Sequence, residues 1–172
     1  MTVLIVEGVD LSGKTTAIEQ IAKRLNQGFI LKNTYKPREP GDSQIYHQYW
    51  NIIKLIKNYD DLVILDRFYP SQAVYSYLRG EDEMYHEEIM HIEDHCKANN
   101  YLLLYLDTDT TQLRERYNKK GDEHVNFQQI LEIKRRYETF VKECGLPTLI
   151  INTIYPGWLK EVEEFIYEHK QC

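Results

Sequence analysis

The chain has 172 residues, enough for one domain with a substantial core, and its 42% hydrophobic content excludes wholesale disorder. A formal charge of −6 excludes the broadly basic face of a duplex-coating protein, though not a local cationic pocket for a small anion. No apolar run approaches the ~20 residues of a membrane span, no basic leader precedes the first apolar run, and three scattered cysteines suit free thiols, so a cytoplasmic protein is expected.

Residues 2–7 read as a strand and 14–27 as a helix with Ile18, Ile21, Ala22 and Leu25 on one face. A second strand is predicted at 29–35. A helix follows at 43–58, with Ile45, Tyr49, Ile52, Ile53 and Ile56 forming its stripe. Leu62 to Leu65 carries the signal of a buried strand, and helical stretches run from about 71 to 98. Residues 101–106 are a fourth strand, 109–118 and 126–144 are helical, 148–152 is a fifth strand, and 157–169 closes the chain as a helix. Near-continuous apolar strands separated by helices predict a five-stranded parallel sheet covered on both faces, a three-layer α/β/α domain spanning residues 1–172.

Between the first strand and the first helix lies Gly8-Val9-Asp10-Leu11-Ser12-Gly13-Lys14-Thr15, followed by Thr16. It fits G-x-x-x-x-G-K-[ST], the phosphate loop. Its glycines let backbone N–H groups converge on phosphate oxygens, and the following helix points its positive end there. Lys14 adds a full charge near the β- and γ-phosphates, and the Thr15 hydroxyl is placed to ligate Mg²⁺. The loop alone does not separate kinases from GTPases or ATPases.

The third strand runs into Asp66-Arg67-Phe68-Tyr69-Pro70-Ser71. Ligands of open α/β sheets bind at the carboxyl ends of strands, which brings Asp66 and Arg67 to the edge that holds the phosphate loop. A carboxylate there can hold Mg²⁺ directly or through water, and the planar fork of Arg67 can grip an anion.

Glu7-Gly8-Val9-Asp10 leading into the lysine and two threonines, then Arg38-Glu39-Pro40-Gly41, then Asp66-Arg67-Phe68 with Ser71, Ala73 and Tyr75, resembles thymidylate kinase, within a group that includes the deoxyribonucleoside kinases. The resemblance implies the P-loop kinase fold with a short helical lid, ATP as donor with Mg²⁺, and a homodimer. It implies Asp10 near the deoxyribose 3′-hydroxyl or the metal, Arg67 and Arg38 at the acceptor phosphate, and Gln72 facing the base. It also places Tyr75 against the 2′ position and a ring among Tyr46, Tyr49 and Trp50 stacking on the base. Two features depart from the pattern. The stretch before Asp66 is shorter than in typical thymidylate kinases, and Leu11 stands where some relatives carry an arginine. A cation for the transition state must then come from elsewhere.

The stretch from Leu113 to Glu123 carries Arg114, Arg116, Lys119 and Lys120, and Gly121-Asp122 breaks its helix. It resembles the lid that closes over donor phosphates, which makes Arg114 and Arg116 the candidates for that cation. Asn152 to Tyr155, after the last strand, is expected to border the adenine.

Two acceptors remain open. A monophosphate needs cations that bring two anions together, whereas a nucleoside 5′-hydroxyl needs a base, for which Glu39 is the candidate. A P-loop module without a small acceptor is the third reading. The Arg-Glu-Pro-Gly context and the residues after Asp66-Arg67 favour the monophosphate, dTMP or a related pyrimidine.

Overall fold

A computed structural model describes residues 1–26, 28–33, 42–81, 86–121 and 125–170. The elements in chain order are β1 (Thr2–Gly8), α1 (Lys14–Leu25), β2 (Phe29–Lys32), α2 (Gln44–Ile56), β3 (Leu62–Asp66), α3 (Tyr69–Tyr75), a 3₁₀ turn (Ser76–Arg79), α4 (Glu87–Ala98), β4 (Leu102–Leu106), α5 (Thr110–Lys120), α6 (Phe127–Glu143), β5 (Thr148–Ile151) and α7 (Trp158–Glu168). The five strands form one parallel sheet in the order β2-β3-β1-β4-β5.

The strand sequences explain the layering. β1, β3 and β4 are buried along their whole length. Alternate side chains feed two separate cores, because successive residues of a strand point to opposite faces. Val3, Ile5, Val63, Leu65, Leu103 and Tyr105 meet the apolar faces of α2, α3, α4 and α6. Leu4, Val6, Leu62, Ile64, Leu102 and Leu104 meet Ala17, Ile18 and Ile21 of α1 and Trp158, Val162, Phe165 and Ile166 of α7. The expected three-layer α/β/α architecture is therefore what the chain adopts.

Boundaries differ from the sequence reading where local chemistry intervenes. α1 stops at Leu25 because Asn26 turns left-handed, at φ 48°, and donates its N–H to the Lys23 carbonyl. β2 ends at Lys32, one backbone bond short of Asn33, whose N–H reaches the Asp66 carbonyl. The helical region after β3 begins earlier than expected, at Tyr69, with Pro70 in the first turn, where its missing N–H costs nothing. It then divides at Gly80, whose φ of 77° ends the 3₁₀ turn. α6 starts cleanly at Phe127 because Asn126 and Gln129 form a reciprocal capping box.

β1 is the central strand. Its neighbours β3 and β4 end beside it, so Asp66 lies opposite Val6 and Leu106 opposite Gly8. The loops that follow all three strands share one sheet edge.

Candidate active site

At that edge lies a cleft of about 660 Å³ lined by the whole loop from Val9 to Thr16 and by Gln20, Arg67, Arg116, Lys119, Lys120, Thr153 and Trp158. Its floor is shaped by backbone conformation. Gly13 sits at φ 87° and Leu11, with a side chain, at φ 66°. Such left-handed residues among right-handed ones turn successive N–H groups toward one concavity. The Ala17 N–H bonds to the Gly13 carbonyl, so the N–H groups of Lys14, Thr15 and Thr16, ahead of it at the start of α1, have no intrahelical acceptor.

The loop is pinned from outside. Ser12 N–H donates to the Val9 carbonyl at 3.2 Å, the Thr108 hydroxyl donates to the Ser12 carbonyl at 3.3 Å, and Arg116 Nη1 donates to the Leu11 carbonyl at 2.8 Å. The buried Ser12 hydroxyl has no partner among the described residues. Gly8 has no room for a side chain: a Cβ there would come within 2.8 Å of Ser12 Oγ and 3.2 Å of the Leu106 Cβ and carbonyl oxygen. Gly8→Ala is expected to push the loop outward, weakening nucleotide binding and destabilising the fold by about 1–3 kcal/mol. Isothermal titration with ATP and a thermal melt check this, and an alanine protein with unaltered affinity contradicts the packing.

Two charged centres stand over this floor. Lys14 Nζ pairs with Asp66 Oδ1 at 2.5 Å, with little of either side chain exposed. Burial and the charge of Arg67 hold the Lys14 pKa below its ordinary value, against the pull of Asp66 and Glu7.

Arg67 is the second centre. Its backbone is left-handed, at φ 68°, fixed by its N–H bond to the Val6 carbonyl and by the bond from Phe68 N–H to Glu7 Oε1 at 2.8 Å. The guanidinium donates from Nη2 to Asp10 Oδ1 at 2.7 Å and from Nη1 to Ser71 Oγ at 3.1 Å and Tyr137 Oη at 3.3 Å. It lies 5.0 Å from the centre of the Tyr75 ring, and the Tyr75 hydroxyl donates to Asp10 Oδ2 at 2.9 Å. Burial opposes its charge, but Tyr75, Tyr137, Asp10 and Glu7 outweigh burial and hold its pKa well above the ordinary value.

The structure separates the two arginines expected at the lid. Arg116 lines the cleft and grips the phosphate loop, whereas Arg114 lies 3.8 Å from the centre of the Phe127 ring, away from the cleft lining. Lys119 and Lys120 also line the cleft, and α5 ends at Gly121, with φ 68°. Asp122 and Glu123 lie outside the described residues, as do Arg38, Glu39, Pro40 and Gly41.

The residues expected on the acceptor side lie in different surroundings. Gln72 is buried on α3, next in sequence to Ser71. Tyr49 is a core residue, 1% exposed, with its hydroxyl on the Phe68 carbonyl and its ring edge-on to Phe68, so it has no open face for a base. Tyr46 stacks on His86, and Trp50 is half-buried against His95. Of the loop after β5, Thr153 borders the cleft, together with Trp158, which the sequence reading did not single out. Tyr137, bonded to Arg67, and Glu7, bonded to Phe68 N–H and Ser71, are not among the residues expected at the site from the sequence.

No family model matches the chain. It is 26% identical over 149 residues to the SPbeta prophage-derived uncharacterized protein YorR of Bacillus subtilis, covering 86% of this chain and 87% of that one. It is 26% identical to thymidylate kinase of Ehrlichia ruminantium over an alignment of 194 positions, gaps included, covering 91% of this chain and 95% of that one. Among solved structures, YorR in complex with phosphorylated GDP superposes over 99% of each chain, with TM-score 0.77 and 24% identity. Deoxyadenosine kinase from M. mycoides with bound dATP superposes over 98% of each, with TM-score 0.61 and 19% identity. Thymidylate kinase from Candida albicans covers 98% of this chain and 93% of that one, with TM-score 0.62 and 19% identity. The fold is that of the P-loop nucleotide kinases.

Proposed function

We propose that the chain is an ATP-dependent kinase that transfers the γ-phosphoryl group to a deoxyribonucleoside monophosphate, with dTMP or a related pyrimidine nucleotide as acceptor. One observation carries the reading: Lys14 and Arg67, separate anion-gripping groups, face a single cleft large enough for polyphosphate. A monophosphate acceptor is mostly dianionic at neutral pH and needs no general base. Its obstacle is repulsion from the donor, which two fixed cations offset. The similarity to thymidylate kinase over most of both chains supports the choice.

Each group then has a task. The N–H groups at the start of α1 and the Lys14 ammonium hold the donor β- and γ-phosphates. Arg67 holds the acceptor phosphate, with Asp10 and Tyr75 fixing the fork and closing the sugar side. Arg116 supplies the cation that Leu11 cannot, and it reaches the loop at Leu11 itself. Lys119 and Lys120 add charge above it. Arg38 completes the acceptor site in this proposal.

Thr15 on the cleft wall and Asp66 at the end of β3 offer one hydroxyl and one carboxylate. That set suits Mg²⁺, which keeps water and substrate phosphates as its other ligands. Held by Thr15 and Asp66, Mg²⁺ would offset the negative charge of the donor phosphates. A cytoplasmic homodimer is part of the same proposal, carried by the resemblance. Among the described residues no helix is long and apolar enough to cross a membrane.

A coupled ADP-release assay over all deoxyribonucleosides and their monophosphates tests the reading. Turnover with dTMP or dCMP is the expected result. Turnover with thymidine or deoxyadenosine alone would replace it with a nucleoside kinase using Glu39 as base, which the structural likeness to deoxyadenosine kinase keeps in view. Hydrolysis without any acceptor would leave only a P-loop module. Arg116→Ala is expected to lower kcat by about 10³-fold while the acceptor KM changes little. Steady-state kinetics with both substrates varied measures this.

A further inference from the structure

The acceptor arginine is held from behind by a residue that lies 70 positions away. Tyr137 sits on α6 and is wholly buried. Its ring stacks on Tyr105 at 5.3 Å and meets Tyr75 edge-on at 6.2 Å. Its hydroxyl donates to Glu7 Oε2 at 2.8 Å, and the Ser71 hydroxyl donates to the same oxygen at 2.7 Å.

The hydrogen count is decisive. Each hydroxyl has one proton, and both protons go to the Glu7 carboxylate. The two oxygens are 3.0 Å apart and can turn only lone pairs toward Arg67, which fills that place with Nη1. Glu7 is fully buried, and burial raises its pKa, against the charge of Arg67 and the hydrogen bonds from Phe68, Ser71 and Tyr137. One edge of the guanidinium is therefore fixed by oriented acceptors and the Nη2 side by Asp10. Among the described residues none accepts from Nε.

We propose that Tyr137 is a positioning residue for the acceptor site: backed by Glu7, its hydroxyl sets the rotation of the Arg67 guanidinium and hence the affinity for the acceptor phosphate. The kinetic part of this inference rests on the monophosphate kinase reading, and the geometric part does not. Tyr105 provides an internal control. It is an equally buried tyrosine stacked on Tyr137, but its hydroxyl has no hydrogen-bond partner among the described residues. Packing alone would make Tyr137→Phe and Tyr105→Phe equivalent.

The test has two arms. In nitrogen–proton spectra, the guanidinium resonances of Arg67, assigned through Arg67→Lys, are expected to be resolved in the wild type and in Tyr105→Phe. In Tyr137→Phe the Nη–H signals should merge or broaden. Unchanged Arg67 signals in Tyr137→Phe would overturn the proposal. With dTMP as the acceptor probe, Tyr137→Phe should raise the KM for dTMP about tenfold and leave kcat and the ATP KM within about twofold. A fall in kcat at unchanged dTMP KM, or equal effects of the two phenylalanine variants, would also overturn it. A wild-type protein inactive on dTMP would remove that acceptor from the functional reading while the resonance arm still decides the positioning role. Should Tyr137→Phe fail to fold, Ser71→Ala removes the other acceptor of Nη1 and gives the same readouts.

Discussion

A Lys14→Met protein is expected to show no measurable phosphoryl transfer, a loss of at least ~10³-fold, while keeping its parallel sheet. The ammonium is the full positive charge placed at the start of α1 over the loop N–H groups, and methionine fills similar space without it. Stability will also fall. Asp66 is more deeply buried than Lys14, and the substitution strands it without its partner at 2.5 Å. Breaking such a pair costs about 3 kcal/mol. The double variant Lys14→Met/Asp66→Asn removes the stranded charge and is expected to regain much of that loss without regaining activity. Thermal melts and a coupled assay on the two proteins separate the effects. Substantial turnover in either would dismiss the phosphate-loop assignment.

Arg67→Ala should act on one substrate. Its fork is held by Asp10 at the start of the phosphate loop and by Ser71 and Tyr137 behind it, and it makes no hydrogen bond to Lys14 or to the start of α1 among the described residues. Removal of a charge-assisted contact of about 3 kcal/mol corresponds to roughly 100-fold in acceptor KM. The KM for ATP should stay within about threefold, because Lys14 and the N–H groups of α1 remain. Initial rates with dTMP and ATP varied in turn give both constants. Equal weakening of both substrates would place Arg67 on the donor and reverse the assignment. Alanine also removes the partner that Asp10 and the Glu7 cluster share, so each constant is read at a temperature where the variant is folded by circular dichroism.

The elements that place the site were the most legible in the sequence. The phosphate loop is contiguous, so its spacing alone specifies it. β1, β3 and β4 are apolar runs without interruption, the mark of strands covered on both faces. β2 is four residues at the sheet edge, largely exposed, and its end was harder to place. Contacts between distant segments were not legible. Tyr137 falls on the buried face of α6 with Phe127, Ile130, Ile133 and Phe140, where a tyrosine looks like one more packing ring. Only the fold shows that its hydroxyl reaches Glu7. Tyr49 erred in the other direction: an aromatic on a helix near the site looked available to a base, but the apolar stripe of α2 carries it into the core.

The arginines of α5 were partly decidable in advance. Residues two apart on a helix point to opposite sides, so Arg114 and Arg116 cannot both face the phosphate loop. Arg116 takes the loop, and Arg114 takes the ring of Phe127 at the start of α6.

The ion pair between Lys14 and Asp66 also shapes what the cleft attracts. The single lysine of the loop is largely buried and paired with a carboxylate of its own chain. An anion that approaches Lys14 therefore meets a charge already offset by Asp66. A ligand that separates the pair must offer an anion to the lysine and, in the same event, a counter-charge to the aspartate. Under the proposed function, nucleoside triphosphate with a divalent ion would do both, and the pair would then favour the complete donor over its fragments.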